Sequence, residues 1–397
     1  MIGLAVWVTL PDGQRLRAGQ TVCDPESGEG AFVYAPEFLA HPQAFALDPA
    51  ELPLGPGQAV YRREAGVALC FSDALPDDWG RRLLVRRARL PRHEQTAAHL
   101  LRALGSSGLG ALSFSTEGSP LPPDPTPGLP ELERLVEAAQ RLEQGLALED
   151  PDLALLLRAG SSAGGARPKA LVFDGPVPAI AKFPRPGDFH PIVALEAATM
   201  ALARRAGLNV PHTHLVTCGR HQVLLVHRFD VTPAGGRRHM LSFQTLLQAQ
   251  GWYQLGYADL FAVLRRLSAR PEEDLAALFR QAAFNAAVGN IDDHLKNFTL
   301  LHDEHGWRLS PAYDLVPGTS GEVEHVLRYA TGHVCPSGRE LIAFGHRLGV
   351  PAPAEILEEV LEALPAYPEE LAAAGVPQPL IAVLAAQVQG HRELLGA

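Results

Sequence analysis

GNIDDHLKNFTLL, residues 289–301, sets two adjacent carboxylates, Asp292 and Asp293, ahead of a histidine, a lysine and an asparagine, and then turns apolar. Charge of that density beside Phe298, Leu300 and Leu301 has two readings. It is either a solvated turn before a strand or a loop that handles phosphate and metal. Asp292 and Asn297 stand five apart. On one loop, that spacing lets a carboxylate lie beside an attacking hydroxyl while an amide oxygen reaches a magnesium ion bridging phosphates. Downstream, SPAYDLVPG (310–318) supplies Asp314 after a predicted strand, at the opening of another loop. A second metal-binding carboxylate belongs at such a place.

Working outward, GSSAGGARPKALVF (160–173) carries Gly160, Gly164 and Gly165 among small residues. Such a backbone can bring its N–H groups close to an anion, and it can equally form a plain β-hairpin turn. It is not a Walker A loop, because the order GxxxxGK[ST] is missing. Lys182 follows in the apolar strand PAIAKFP, and Glu196 lies in the next predicted helix. In protein kinases a Gly-rich hairpin covers the phosphates, and a strand lysine grips them and pairs with a helix glutamate. Each piece alone is commonplace. The Gly-rich loop, the strand lysine, the Asp-x4-Asn loop and the later aspartate, in that chain order, point to phosphoryl transfer.

Composition narrows the alternatives. The chain has 397 residues, 47% of them hydrophobic, which is ordinary for a globular protein of two or three domains. No apolar run reaches the roughly 18 residues of a membrane span. MIGLAVWVTLPDGQRL reads as a strand rather than a signal peptide. Cys23, Cys70, Cys218 and Cys335 are widely spaced with no CxxC, so neither a zinc site nor a disulfide framework is expected, and a reducing cytoplasm fits. A formal net charge of −10 argues against broad electrostatic binding to nucleic acid. The local exception, Arg81, Arg82, Arg86, Arg87, Arg89 and Arg92, has helical spacing and reads as a solvated face or a protein contact.

Along the chain, residues 1–115 alternate short apolar runs (GLAVWVTL, AFVYAPEFL, AVYRR, VALCF) with Gly/Pro/Asp turns, and a helix is predicted near DDWGRRLLVRRA. STEGSPLPPDPTPGLPELE (115–133) reads as a linker or a long surface loop, followed by a helix at about 131–144. KALVF, PAIAKF, HLVTC and QVLLVHRF read as strands around one helix at 192–208; PHTHL, with His212 and His214, falls on one of these strands, and GGRRH (235–239) reads as a hairpin turn. From 241 the spacing is mostly helical, including LSFQTLLQA, and beyond about 338 more helices alternate with Pro. A β-rich half followed by an α-rich half predicts a two-lobed α+β protein.

The motifs SSAGGARPKA, AKFP, HRFD, GNIDDHLKNF and PAYDLVP, in that order, resemble the HipA family of bacterial serine/threonine kinases, the toxin components of HipBA toxin–antitoxin modules. YAPEFLAHPQAFALDP and FSDALPDDWGRRLL resemble the N-terminal subdomain of the same family, so the resemblance spans nearly the whole chain. It implies a protein-kinase-like fold with a β-rich N-terminal subdomain (1–115), a linker (116–130), a small α/β nucleotide lobe with Gly-rich loop and hinge (131–240), and a helical C-lobe (241–397). It implies that Asp292 is the catalytic aspartate, that His294, Lys296 and Asn297 line phosphates and metal, and that Asp314 is the second metal ligand with Tyr313 beside it. Lys182 would hold the α/β-phosphates of ATP. Gly164, Gly165, Ala166, Arg167, Pro168 and Lys169 would cover them, and His227, Arg228 and Phe229 would form the hinge. Ser162, or its neighbour Ser161, would be the inhibitory autophosphorylation site. ATP and Mg2+ are the implied cofactors. The implied partners are a HipB-like helix-turn-helix antitoxin, DNA only through that antitoxin, and a protein substrate such as an aminoacyl-tRNA synthetase. Two other functions are compatible with the motifs: a small-molecule kinase, and a non-catalytic nucleotide-binding corepressor.

Overall fold

The computed structural model describes residues 1–119, 131–160, 167–251, 254–319, 321–330 and 332–397. The chain divides into two compact units. The first takes Met1–Pro186, Thr217–Leu241 and Leu301–His305; the second takes Gly187–Val216, Ser242–Leu300 and Gly306–Ala397.

The first unit begins with an antiparallel sheet of β1 (Ile2–Thr9), β2 (Arg15–Cys23), β3 (Glu29–Tyr34), β4 (Gln58–Arg62) and β5 (Leu112–Thr116), in the order β4-β3-β2-β1-β5. β5 returns to pair with β1, Leu4 opposite Thr116. Helices α1 (Pro36–Leu39), α2 (Leu69–Asp73), α3 (Asp78–Arg87) and α4 (Ala97–Leu104) close the core. VALCF, expected to add a strand, instead leads into α2. A five-residue apolar run cannot by itself separate a buried strand from a buried helical turn. Packing decides it: Phe71 sits edge-on between Phe32 and Phe114, at 5.7 and 5.6 Å. On α3, Trp79, Leu83 and Leu84 are buried while Arg81, Arg82 and Arg86 face solvent, so the arginine cluster is a solvated face.

The same unit continues with α5 (Leu132–Glu143) and α6 (Asp150–Gly160). Gly160 was expected to belong to the Gly-rich loop, but it is the last residue of α6. A Cβ there would lie 2.6 Å from Leu83 Cδ1 and 2.7 Å from the Trp79 ring. This glycine therefore serves close helix packing. A four-stranded sheet follows, in the order β6 (Lys169–Asp174), β7 (Val177–Lys182), β9 (His221–His227), β8 (Thr213–Cys218). Gly175, at φ 59°, supplies the left-handed residue for the tight β6–β7 turn. GGRRH bends back as a hairpin, with Val231 bridged to Arg237.

Beyond β10 (His239–Ser242), LSFQTLLQA was expected to be helical throughout. It begins as that strand and continues as one short turn, α8 (Phe243–Leu246), capped by Ser242 Oγ accepting from the Thr245 amide. The longer helices of the second unit are α7 (Ile192–Arg205), α9 (Tyr257–Leu267), α10 (Pro271–Val288), α11 (Gly338–Arg347), α12 (Pro353–Ala363), α13 (Tyr367–Ala373) and α14 (Gln378–Gly396). α10 is its centre and shows why its ends lie where they do. Pro271 occupies the first turn with Glu272, Glu273 and Asp274 beside the positive end of the helix dipole. Gly289 closes the helix at φ 67°, a conformation that costs other residues energy. Two short strands, β11 (Thr299–Asp303) and β12 (Gly306–Leu309), follow, and the third sheet has the order β10-β11-β12.

Candidate active site

The loop after α10 resolves the puzzle of the two adjacent aspartates. Successive side chains in an extended segment point to opposite sides. Asp292 keeps 78% of its side chain exposed, whereas Asp293 is completely buried. A 3-10 turn, Leu295–Asn297, follows, with Leu295 buried as its anchor. Asn297 donates from Nδ2 to the Asp292 carbonyl at 2.8 Å, and its amide N–H donates to the His294 carbonyl at 2.9 Å. His294 Nε2 lies 3.8 Å from Asp292 Oδ1. With its nitrogen committed to the loop, the Asn297 carboxamide presents an oxygen as its remaining polar atom, the ligand type a hard cation takes.

Asp314 adopts a left-handed backbone, φ 54°, which is uncommon for a residue with a side chain. Strain of this kind persists where surrounding structure imposes it. The neighbouring Tyr313 shows how: its hydroxyl donates to the Lys296 carbonyl at 2.7 Å and lies 2.6 Å from Thr299 Oγ1. One side chain thus ties the aspartate-bearing loop to the Asp292–Asn297 loop. Surrounding protein pushes the Asp292 pKa up, His294 opposes this, and the carboxylates of Asp314 and Asp293 add to it. Because the Asp292 side chain is so exposed, solvent screens these effects strongly. The second unit therefore assembles Asp292, His294, Lys296, Asn297, Tyr313 and Asp314 on adjoining loops. Glu196 is buried, at 5% exposure, on α7.

In the first unit, β6 and β7 place Lys169 directly opposite Lys182. The Phe183 amide donates to the Pro168 carbonyl at 3.0 Å and holds that register next to Arg167. Directly opposed residues share a face of the sheet, so two cationic side chains lie on one side, an arrangement that favours an anion there. At the far end of β7, Ala179 faces His227, whose Nε2 lies 2.8 Å from Asp174 Oδ2. The Arg228 amide donates to the Pro178 carbonyl at 2.9 Å, and the Phe229 carbonyl accepts from Arg238 at 2.8 Å. The Arg228 side chain has a structural task that spacing did not reveal. It forks onto Asp230, Nε to Oδ1 at 3.0 Å and Nη2 to Oδ2 at 2.6 Å. Asp230 also accepts the Gly110 amide at 2.7 Å. Burial alone would raise the Asp230 pKa, but the Arg228 guanidinium, with help from Arg237 and Gly110, holds it well below the usual carboxylate range.

Gly164, Gly165, Ala166, Ser161 and Ser162 lie outside the described residues. Sequence reasoning missed the partners of Asp293. Tyr257 Oη donates to it at 2.7 Å from 36 positions upstream, and His325 Nδ1 lies 3.1 Å away from 32 positions downstream. A tyrosine and a histidine so distant in sequence carry no periodic or motif signal.

Comparison with known proteins bears on the family and the fold. The family model described as HipA N-terminal domain matches residues 13–115, and the one described as HipA-like C-terminal domain matches 161–367, more than half of the chain. The serine/threonine-protein kinase toxin HipA of Shewanella oneidensis is 27% identical over 286 residues, 63% of this chain and 63% of that protein. A protein of Sinorhizobium fredii is 36% identical over 149 residues, 35% of this chain and 34% of the relative. The chain thus spans less than two thirds of the length of the curated relatives it matches. A solved structure described as the Shewanella oneidensis toxin–antitoxin complex of HipA, HipB and operator DNA superposes with a TM-score of 0.73 at 21% identity, over 98% of this chain and 96% of the HipA chain. At that identity the likeness concerns the fold, which is α+β and kinase-like. With both halves matched in order, this chain belongs to the HipA family.

Proposed function

We propose that this protein is a serine/threonine protein kinase that transfers the γ-phosphoryl group of ATP to a protein hydroxyl, and that it acts as the toxin of a toxin–antitoxin module. The observation that carries the reading is the assembly of Asp292, Asn297 and Asp314 on adjoining loops tied by Tyr313. Magnesium-bound ATP supplies the transferable phosphoryl group. Asp292, exposed at the tip of its loop, orients the attacking hydroxyl and accepts its proton as the new P–O bond forms and ADP departs. The Asn297 carboxamide oxygen and the Asp314 carboxylate hold the metal, and Lys182 with Lys169 holds phosphate oxygens. This catalysis is positioning plus charge neutralisation.

The solved HipA relative is described together with HipB and operator DNA. This supports a HipB-like antitoxin as partner, and the net charge of −10 supports contact with DNA through that partner. Among the described residues no helix is long and apolar enough to cross a membrane, in keeping with a cytoplasmic site of action. The protein substrate in this reading is a component of translation such as an aminoacyl-tRNA synthetase. A phosphate of roughly −1.5 to −2 charges on Ser162 or Ser161 would be repelled by the site's carboxylates and would switch the enzyme off.

The test is incubation of the purified protein with Mg·ATP, followed by intact-mass and peptide mapping. Expected are phosphate on Ser162 or Ser161, none when EDTA is present throughout the incubation, and none on Asp314→Asn. A protein that binds ATP but never becomes phosphorylated, with or without a HipB-like partner and candidate substrates, would refute the kinase reading.

A further inference from the structure

Asp293 is the one wholly buried carboxylate of the 289–301 stretch, and the chemistry assigned to Asp292 does not use it. Three donors converge on it. Tyr257 Oη, on the first residue of α9, reaches Oδ2 at 2.7 Å; the Leu327 amide reaches Oδ1 at 3.2 Å; and His325 Nδ1 lies 3.1 Å from Oδ2. A carboxylate offers only lone pairs, so the imidazole proton in that contact sits on Nδ1. Burial pushes the Tyr257 phenol up, with Asp293 reinforcing it, so the hydroxyl remains a donor. Behind Tyr257 the chain of bonds continues: Asn285 Nδ2 donates to Tyr257 Oη at 3.0 Å, and Asn290 Nδ2 donates to Asn285 Oδ1 at 3.0 Å.

Two of the three donors come from the segment that follows Asp314. That segment is laced to the catalytic loop at successive alternate residues. The Gly318 amide donates to the Gly289 carbonyl at 2.7 Å, the Val326 amide to the Ile291 carbonyl at 3.2 Å, and the Leu327 amide to the Asp293 side chain. Farther along, the Arg328 amide and carbonyl bond to Leu255 and Tyr257. His325, Leu327 and Tyr329 are buried, while Val323, Val326 and Arg328 face outward. The outward row is therefore held in place by an inward row whose polar anchor is Asp293.

We infer that Asp293 is a positioning residue, whose buried carboxylate locks residues 325–329 to the catalytic loop and thereby sets where Asp292 points. The inference rests on the kinase reading for its effect on rate, but the lock itself is independent of that reading. A change at Asp293 alters the placement of the hydroxyl-orienting group and leaves the metal ligands Asn297 and Asp314 in place.

The test uses the full chain carrying Asp293→Asn and, as a milder change, Tyr257→Phe, which removes one donor and no charge. Two quantities are read: steady-state phosphorylation, and amide hydrogen exchange at Val326 and Leu327. Expected are a fall in kcat of about 10- to 100-fold for Asp293→Asn with KM for ATP within about twofold, faster exchange at those two amides, and a double variant less impaired than the two single effects combined. Unchanged exchange and kcat in a folded Asp293→Asn protein would overturn the inference. So would a loss of activity in which KM for ATP rises in parallel and exchange speeds up evenly over the second unit, the mark of a merely structural residue. Selectively faster exchange at Val326 and Leu327 in Asp293→Asn, beside a wild-type protein that transfers no phosphate, would uphold the lock while the kinase reading fails.

Discussion

Phosphoryl transfer by Asp292→Asn is expected to fall by about 10²- to 10⁴-fold, the range that a positioned general base contributes, while the melting temperature stays close to that of the wild type. The two halves of this expectation come from one observation. With 78% of its side chain exposed and only a 3.8 Å approach to His294, Asp292 contributes almost nothing to packing. The bond that shapes the loop, from Asn297 Nδ2, goes to its backbone carbonyl and survives the substitution. Asparagine is isosteric, so the loop keeps its shape and loses only the capacity to take a proton. The pH profile offers a second check. The folded-state pKa of Asp292 is raised, so its carboxylate is lost at a higher pH than an ordinary aspartate as the solution is acidified. Activity that needs the ionised form therefore has an acid limb above the usual aspartate value of about 3.9, and that limb should be absent from the residual activity of Asp292→Asn. A variant retaining more than about a tenth of wild-type kcat would be too active for Asp292 to be the base.

Arg228→Met is expected to destabilise the first unit by about 3–5 kcal/mol, the usual consequence of removing one partner from a buried ion pair. Arg228 and Asp230 keep 2% and 4% of their side chains exposed. Without the guanidinium, the Asp230 carboxylate would remain buried with the Gly110 amide and a longer contact to Arg237, too little to offset its desolvation. The pH dependence has a definite sign. Asp230 has a depressed folded-state pKa, so its contribution is complete above the unfolded carboxylate value and is lost as pH falls through the folded one. The gap between wild type and Arg228→Met, measured by chemical denaturation, should therefore be full at neutral pH and narrow under strong acid. Adding Asp230→Asn should recover much of the loss, because the amide can still accept from Gly110 without carrying a charge. If Arg228→Met costs less than about 1 kcal/mol at neutral pH, the pair behaves as a surface bridge and the argument fails.

The two residues show the limits of local motifs. Asp292 was legible as a candidate because the task proposed for it imposes spacing on its own loop: the carboxylate and Asn297 must sit within one turn of each other. Arg228 was legible only as part of HRFD, which placed it at the hinge. The hinge reading concerns its backbone; its side chain points to Asp230, which in turn accepts the amide of Gly110, 120 positions away. VALCF and Gly160 erred for a related reason, since both were read from their neighbours in sequence while Phe32, Phe114, Trp79 and Leu83 decided their conformation.

The sequence by itself pointed to the candidate chemistry-bearing residues and their order, to the family, and to helices such as α5, expected at about 131–144 and found at Leu132–Glu143, because acidic first turns and apolar period act over a few residues. Only the tertiary structure decided which of two adjacent aspartates faces solvent and which is buried. Alternation along an extended segment says that the two differ. Which one turns inward depends on Tyr257, His325 and the Leu327 amide, brought from distant segments to compensate the carboxylate that is buried.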